Sequence, residues 1–302
     1  MTATDRYPAS SEVREVGPRD GLQNEPPIPV AERVRLVDAL AATGLRAIEV
    51  GSFVHPEAVP AMAGTDEVLR AITRRPGVRY RVLVPNVRGA QLALEAGVDE
   101  LEVVVSVSPT HNARNLRMSV DESVDQIAGV VALARSAGVP VEAIVATAFG
   151  CPYEGPIGPD RAWALARRLT DAGVGGCSFA DTTGMAVPTS ITGLLEVLAG
   201  GGLAPSEIAL HLHNTRGTGL ANLVVAAQHG VRRFDASIGG LGGCPFAPGA
   251  TGNIPTEDTV YLLDSLGART GVDLDALIAI SLDLETLLGR TLPGQLMRSG
   301  RP

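Results

Sequence analysis

Two histidines, His211 and His213, stand two residues apart in an otherwise apolar stretch, 208–213. On an extended strand, residues at that spacing share a face, so both imidazoles can meet one ion. The same pair could instead close a layer of hydrogen bonds inside a barrel, and so short a motif leaves both readings open. Asp20, at the end of another strand candidate, favours the ion. A carboxylate beside two imidazoles and an amide oxygen suits Mg²⁺ or Mn²⁺, whereas structural zinc sites prefer thiolates.

Cys244 follows a glycine-dense run, Gly239-Gly240-Leu241-Gly242-Gly243, where backbone can approach a ligand closely. A small buried hydrophobe is the alternative for any free cysteine. The run lacks the spacing of a dinucleotide fingerprint. Cys151 and Cys177 have no such context and read as structural. Arg19 precedes Asp20; neighbours on a strand end point opposite ways, so each is expected to have its own partner. A fixed cation there suits a developing enolate oxygen. Glu49 is flanked by apolar residues, so it is expected to be buried and either paired or functional. Asp181, before Thr182-Thr183-Gly184, fits a helix N-cap as well as a site role.

These residues need elements that bring them together. Strand candidates lie at 13–17, 46–53, 80–85, 101–108, 141–148, 176–181, 208–213 and 234–239. Helical patterns separate them at 30–42, 66–72, 87–95, 120–137, 159–172, 188–198 and 219–228. This alternation predicts an α/β protein, a closed (β/α)₈ TIM barrel, in preference to a doubly wound open sheet. In that fold the reactive residues belong at the C-terminal ends of the strands, where each candidate above falls. A further apolar stripe at 272–288 predicts an extra helix on the barrel or on a second subunit. The chain therefore reads as one catalytic unit over 1–302, a barrel at about 12–268 with a C-terminal helical extension at about 272–302.

Composition narrows the chemistry. All 25 basic residues are arginine, so no lysine amine can form a Schiff base and no P-loop lysine exists. Carbon–carbon chemistry must then use a metal or oriented hydrogen-bond donors. Net charge −8 argues against a broad nucleic-acid surface. No apolar run is long enough to span a bilayer, and three unpaired cysteines fit a reducing compartment, which together predict a cytoplasmic protein. Aromatics are only 3% of the chain, so the core is expected to consist of Ala, Val, Leu and Ile.

Taken jointly, five motifs resemble the 3-hydroxy-3-methylglutaryl-CoA lyase family of metal-dependent barrel lyases and synthases. They are Gly17-Pro18-Arg19-Asp20-Gly21-Leu22-Gln23-Asn24-Glu25; Ile48-Glu49 with Ser52-Phe53-Val54; Gly150-Cys151-Pro152-Tyr153-Glu154-Gly155; His211-Leu212-His213; and Gly240-Leu241-Gly242-Gly243-Cys244-Pro245 with Gly252-Asn253 and Thr256-Glu257-Asp258. The resemblance runs from about residue 13 to residue 271. It implies a divalent cation, Mg²⁺ or Mn²⁺, held by Asp20, His211, His213 and Asn253. It implies Arg19 on the enolate, Cys244 in proton transfer, and His211 as catalytic residue as well as ligand. Glu49 matches an active-site acid, Asp181 and Gln23 match polar residues around the substrate, and Glu257 matches a residue that orients the Cys244 loop. The reaction implied is retro-Claisen cleavage of an acyl-CoA to acetoacetate and acetyl-CoA, as in leucine breakdown, by a homo-oligomer, expected to be a dimer. Asn214 and Arg216, where relatives usually carry Asp-Thr after the second histidine, and the loop at 110–116 depart from the pattern. They make a related substrate such as citramalyl-CoA the close alternative. A condensing synthase or a barrel that only binds acyl-CoA are the readings from other classes.

Overall fold

The computed structural model describes residues 6–243 and 252–301. Eight parallel strands form a closed barrel: β1 Glu12–Glu15, β2 Ala47–Ser52, β3 Arg79–Leu83, β4 Glu100–Ser106, β5 Val141–Ala146, then β8 Gly176–Ala180, β9 Ala209–His211 and β10 Arg233–Ala236. Two-residue strands β6 Gly150–Cys151 and β7 Gly155–Pro156 make a small antiparallel hairpin at the mouth. The ring closes where β1 pairs with β10, Val13 opposite Phe234 and Arg14 opposite Asp235. All eight predicted strands are present, each ending slightly earlier than the apolar run suggested.

The outer layer is α1 Val30–Ala42, α2 Thr65–Ala71, α3 Val87–Glu95, α4 Pro109–Leu116, α5 Val120–Ser136, α6 Pro159–Asp171, α7 Pro188–Gly200, α8 Gly219–Gln228 and α9 Thr256–Ser265. Their starts and faces follow from local chemistry. Ser119 opens α5 with a reciprocal cap: its hydroxyl accepts from Glu122 N (3.2 Å) and the Glu122 carboxylate accepts from Ser119 N (2.8 Å). In α6 the buried residues Ala162, Leu165, Ala166 and Leu169 fall on one stripe at helical spacing. The segment expected as a loop at 110–116 is instead the helix α4. Its start is fixed by Ser108, whose hydroxyl accepts from His111 N, with Pro109 in the first turn.

The period of two divides each strand. Outward residues such as Ile48, Val50, Val82, Leu101, Val103, Ala143, Phe179 and Phe234 are buried against the helices. This layer is the expected aliphatic core. The barrel interior is not aliphatic, which corrects the composition argument. Arg14, Arg81, Glu102, Glu142 and Asp235 fill it, each at most 5% exposed. Arg14 bridges Asp235 and Glu142 (2.5 Å each), and Arg81 bridges Glu102 (2.6 Å) and Glu142 (3.1 Å). The inward positions of short parallel strands bring these charges together at the barrel axis, so few aromatics are needed to fill it.

Two further helices, α10 Leu274–Leu288 and α11 Leu296–Ser299, follow the barrel. Leu277, Ser281 and Leu284 of α10 are buried, and Asp258 of α9 accepts from Gln295 N and Leu296 N at the entry to α11. The predicted appendage therefore packs on the barrel. No helix among the described residues is long and apolar enough to cross a membrane.

Candidate active site

The first strand ends in a wide turn over Gly17–Gly21 that decides where Arg19 and Asp20 point. Gly21 N donates to Val16 O (3.2 Å) and Leu22 N to Gly17 O (2.9 Å), five residues apart, the bonding of a π-turn. Such a turn aims neighbouring side chains into one place. Arg19 Nη1 consequently pairs with Asp20 Oδ1 itself, at 2.7 Å. The expectation of separate partners fails because it assumed extended backbone. Arg19 Nε lies 2.7 Å from Glu49 Oε1, so buried Glu49 is the paired acid that its apolar flanks predicted.

His211 closes β9, and His213 follows in a bridge that pairs it with Asn253. Their Nε2 atoms are 3.1 Å apart, and His211 Nε2 is 3.8 Å from Asp20 Oδ2. Asp20, His211 and His213 offer ligand atoms within 4.8 Å of one another, all buried: a group that could hold a metal ion. Asn253 offers a fourth donor atom, an amide oxygen. Its Nδ2 donates to Asp20 Oδ2 (2.7 Å) and to Leu241 O (3.0 Å), which fixes the amide orientation and leaves Oδ1 buried without a hydrogen-bond partner. An orphaned carbonyl oxygen beside a carboxylate and two imidazoles is the donor set of a hard or borderline divalent cation.

The surroundings orient these ligands. Gln23 Nε2 donates to Asp20 Oδ1 (2.8 Å). His211 Nδ1 lies 3.3 Å from Asp235 Oδ2, the carboxylate–histidine arrangement that sets ring orientation around metals. Asp235 also receives Arg14 and Ser178, so the ionic interior holds the ligand layer from below. Burial opposes ionisation of Asp20, but Arg19, the two histidines and Asn253 overcome it and bring its pKa down to about 2. Burial, followed by the charge of His211, lowers His213 to about 4, so its ring is neutral and able to ligate. Gly242 presses on the same atoms: a Cβ there would sit 2.6 Å from Asn253 Nδ2 and 3.4 Å from Asp20. Only glycine permits this approach.

The remaining predicted residues divide. Asp181 is not the N-cap of α7, which begins at Pro188; its Oδ1 accepts from Met185 N (2.7 Å) and Ala186 N (3.0 Å) and so shapes the turn before that helix. Its Oδ2 is buried without a partner, and burial pushes the acid up to about 6. Glu257 stands at the start of α9, away from the ligands, and accepts from Gly239 N (3.0 Å), holding the glycine loop. Cys244 lies outside the described residues. Cys151 and Cys177 are buried, in keeping with structural roles.

The residues that depart from the resemblance make local structural contacts. Arg216 Nη1 donates to Thr183 O and Gly184 O, bracing the Asp181 turn. Asn214 Oδ1 accepts from Gly219 N at the start of α8. In α4, Asn112 accepts from Ser106 N and donates to Met118 O, Ser119 O and Ser123 Oγ, tying the helix to β4 and α5. Sequence reasoning missed Asp235, and with it the interior ions, although the signal was present as charged residues alternating with apolar ones along the strands.

Comparisons with known proteins agree with this fold. The profile of the HMGL-like family matches residues 11–283. A hydroxymethylglutaryl-CoA lyase of Bacillus subtilis is 43% identical over 96% of this chain and 97% of its own length. An (R)-citramalyl-CoA lyase of Chloroflexus aurantiacus is 43% identical over 95% and 93%. A solved structure of an HMG-CoA lyase from Acinetobacter baumannii, in complex with coenzyme A and 3-methylmalate, superposes with TM-score 0.93 at 43% identity, covering 97% of this chain and 96% of that one. The chain belongs to the HMGL-like family and is a hydroxymethylglutaryl-CoA lyase-like carbon–carbon lyase on a (β/α)₈ barrel.

Proposed function

We propose that this enzyme cleaves 3-hydroxy-3-methylglutaryl-CoA to acetoacetate and acetyl-CoA with the help of Mg²⁺ or Mn²⁺. The observation that carries the reading is the clustering of Asp20, His211 and His213, with Asn253 bonded to Asp20 and carrying an orphaned Oδ1, and with the Arg19 guanidinium beside them. A divalent cation held there would make the tertiary hydroxyl of the substrate more acidic and would polarise its oxygens. Removal of the hydroxyl proton lets the C2–C3 bond break: the oxygen becomes the ketone of acetoacetate, and the electron pair stays on C2 as the enolate of acetyl-CoA.

We assign Arg19 to hold that enolate. Glu49 and Asp20 hold its Nε and Nη1, which supports a fixed, planar cation for the enolate oxygen. We assign the proton transfers to Cys244 together with His211. Support for Cys244 comes from the backbone that precedes it: Gly242 packs on Asn253 and Asp20, and Gly243 O accepts from Asn24 Nδ2 (2.9 Å). Cys244→Ala should lower turnover about 10²–10⁴-fold with the fold intact. Asp181 and Gln23 act around the substrate and the ligands, and Glu257 supports the glycine loop.

The citramalyl-CoA reading stays as the second, because that lyase is as similar to this chain as the hydroxymethylglutaryl-CoA lyase. The test is to chelate the protein, restore Mg²⁺ or Mn²⁺, and assay both acyl-CoA esters. Cation-dependent acetoacetate from the first substrate supports the proposal. Pyruvate from citramalyl-CoA alone would replace it. We further read residues 1–302 as one catalytic unit of a cytoplasmic homodimer acting in leucine catabolism; Leu282 and Leu287, exposed on α10, support self-association, which sedimentation velocity tests.

A further inference from the structure

The face of the barrel opposite the mouth carries a second concave region. It is a cavity of about 620 Å³ where β1, β2, β3 and β10 begin and the chain passes from α9 to α10. That volume lies in the range of small-molecule sites. Five arginines line it, Arg46, Arg79, Arg232, Arg233 and Arg269, against one carboxylate, Glu12. Arg79 pairs with Glu12 (2.5 Å) and Glu100 (3.4 Å), and Arg233 lies 3.8 Å from Glu142. Arg46, Arg232 and Arg269 have no carboxylate partner among the described residues. The acids that flank the walls in sequence are engaged elsewhere: Glu207 accepts from Ala204 N, Asp264 from Thr270 N and Asp273 from Ala276 N. Like charges gathered on one cavity oppose folding, so packing alone does not explain three uncompensated cations in a chain of net charge −8.

A buried polar atom marks the same place. Ser11, 6% exposed, lines the cavity, and its hydroxyl has no hydrogen-bond partner among the described residues. A native structure rarely leaves such a group unsatisfied without a use for it. The frame around it is fixed. Arg232 O accepts from Glu12 N (2.7 Å), Arg269 O from Ser11 N (3.1 Å) and Arg46 O from Arg79 N (2.8 Å). The backbone of each unpaired arginine is thus tied to the start of a strand, and donors held in advance cost less to order on binding. We propose that this cavity binds a small, multiply charged phosphate anion, either free pyrophosphate or the diphosphate group of a nucleotide. Arg46, Arg232 and Arg269 donate to its oxygens, and the Ser11 hydroxyl completes the set. The site lies where strands begin, whereas Asp20, His211 and His213 stand where strands end, so it is separate from the lyase centre. The inference does not depend on which acyl-CoA is cleaved.

The test is calorimetric titration of the chelated full chain with inorganic pyrophosphate and, separately, with ADP. Pyrophosphate is expected to bind with a Kd below about 1 mM. Arg46→Gln, Arg232→Gln and Arg269→Gln should each weaken binding about three- to tenfold, the effect of one partly solvated charge-assisted bond. These side chains are exposed, so the variants should fold as the parent does. Ser11→Ala leaves the charge unchanged and should cost about threefold, which separates a built site from plain attraction. Arg88→Gln, an exposed arginine on α3 at the mouth end, should bind as the parent. Tighter binding of ADP would identify a nucleotide, and equal binding the phosphate groups alone; either sustains the proposal. No binding up to about 10 mM would overturn it. So would parent-like affinity in all four cavity variants, which would place the anion at the mouth, or an equal loss in Arg88→Gln. Tighter binding of a single-stranded DNA oligonucleotide than of either anion would replace the small ligand by a nucleic acid.

Discussion

The mouth of the barrel and its interior use the same residue types to opposite ends. In the interior, Arg14 is bridged to two acids and Arg81 to three at 2.5–3.1 Å, so charge is neutralised within the protein. At the mouth, ligand atoms of Asp20, His211 and His213 lie within 4.8 Å of one another, and Asn253 Oδ1 and His213 Nδ1 lack any partner among the described residues. The first region is closed to ligands by its own pairing. The second is left short of positive charge, and two paths join the regions: Arg19, through Glu49 below and Asp20 above, and Asp235, which meets both Arg14 and His211. A buried ion cluster therefore says little about function until its pairs are counted: the unpaired acceptors mark the site.

Breaking each region should give different defects. Asp20→Asn removes the only carboxylate of the ligand set, and activity should fall about 10³-fold or more, several kcal/mol of barrier. Added Mg²⁺ or Mn²⁺ should then raise the melting temperature of the parent and not of the variant, since a ligand stabilises only the state that binds it. Equal stabilisation of both would place the cation elsewhere. In the interior, Arg14→Met strands Asp235 and Glu142 in a dry environment. The cost expected is about 3–5 kcal/mol of stability, the usual result of removing one partner of a buried pair, read by urea denaturation. A loss of activity at unchanged stability would mean that Arg14 belongs to the mouth instead.

The mouth was more legible in the sequence than the interior. His211, His213 and Asp20 could be read because their types are rare in apolar strands and a strand spacing of two has a simple geometric meaning. Glu49 was readable from its apolar flanks alone. The partnership of Arg19 with Asp20 was not, because the five-residue turn over Gly17–Gly21 has no sequence signal comparable to a strand or helix period. Nor were the interior pairs, since Arg14 meets Glu142 across 128 residues, and single strands do not show which charges the closed barrel brings opposite one another. The helix α4 was missed for a local reason: Ser108-Pro109 is a helix start, but the run after it is polar and carries little apolar periodicity.

Glu257 sharpens the comparison because it is buried with neither arginine nor cation. Burial raises it to about 8, and it accepts one hydrogen bond from Gly239 N. Above about pH 4.5 the unfolded chain has released this proton while the native state keeps it, so the group makes stability fall as pH rises from about 4.5 to about 8. Glu15, raised by burial to about 7, adds to the same slope. Glu257→Gln has no proton to lose. Its stability relative to the parent should therefore grow across that window, by at most about 1.4 kcal/mol per pH unit. A difference that stays constant with pH would show that Glu257 is ionised, and hence paired like the interior acids.

The smallest effect tests whether acceptors at the mouth need outside help to stay aligned. Interior acids are held by the arginines they neutralise, but Asp20 must keep Oδ2 toward His211 while Arg19 Nη1 and Gln23 Nε2 both draw on Oδ1. Gln23→Ala leaves the charge pair with Arg19 and removes only the second donor, at 2.8 Å. One such bond contributes about 0.5–1.5 kcal/mol, so turnover should fall about three- to tenfold, with global stability almost unchanged. Higher Mg²⁺ should recover part of the loss if the carboxylate has merely become less well aimed. If turnover were unaffected, Arg19 and Asn253 would suffice to orient Asp20.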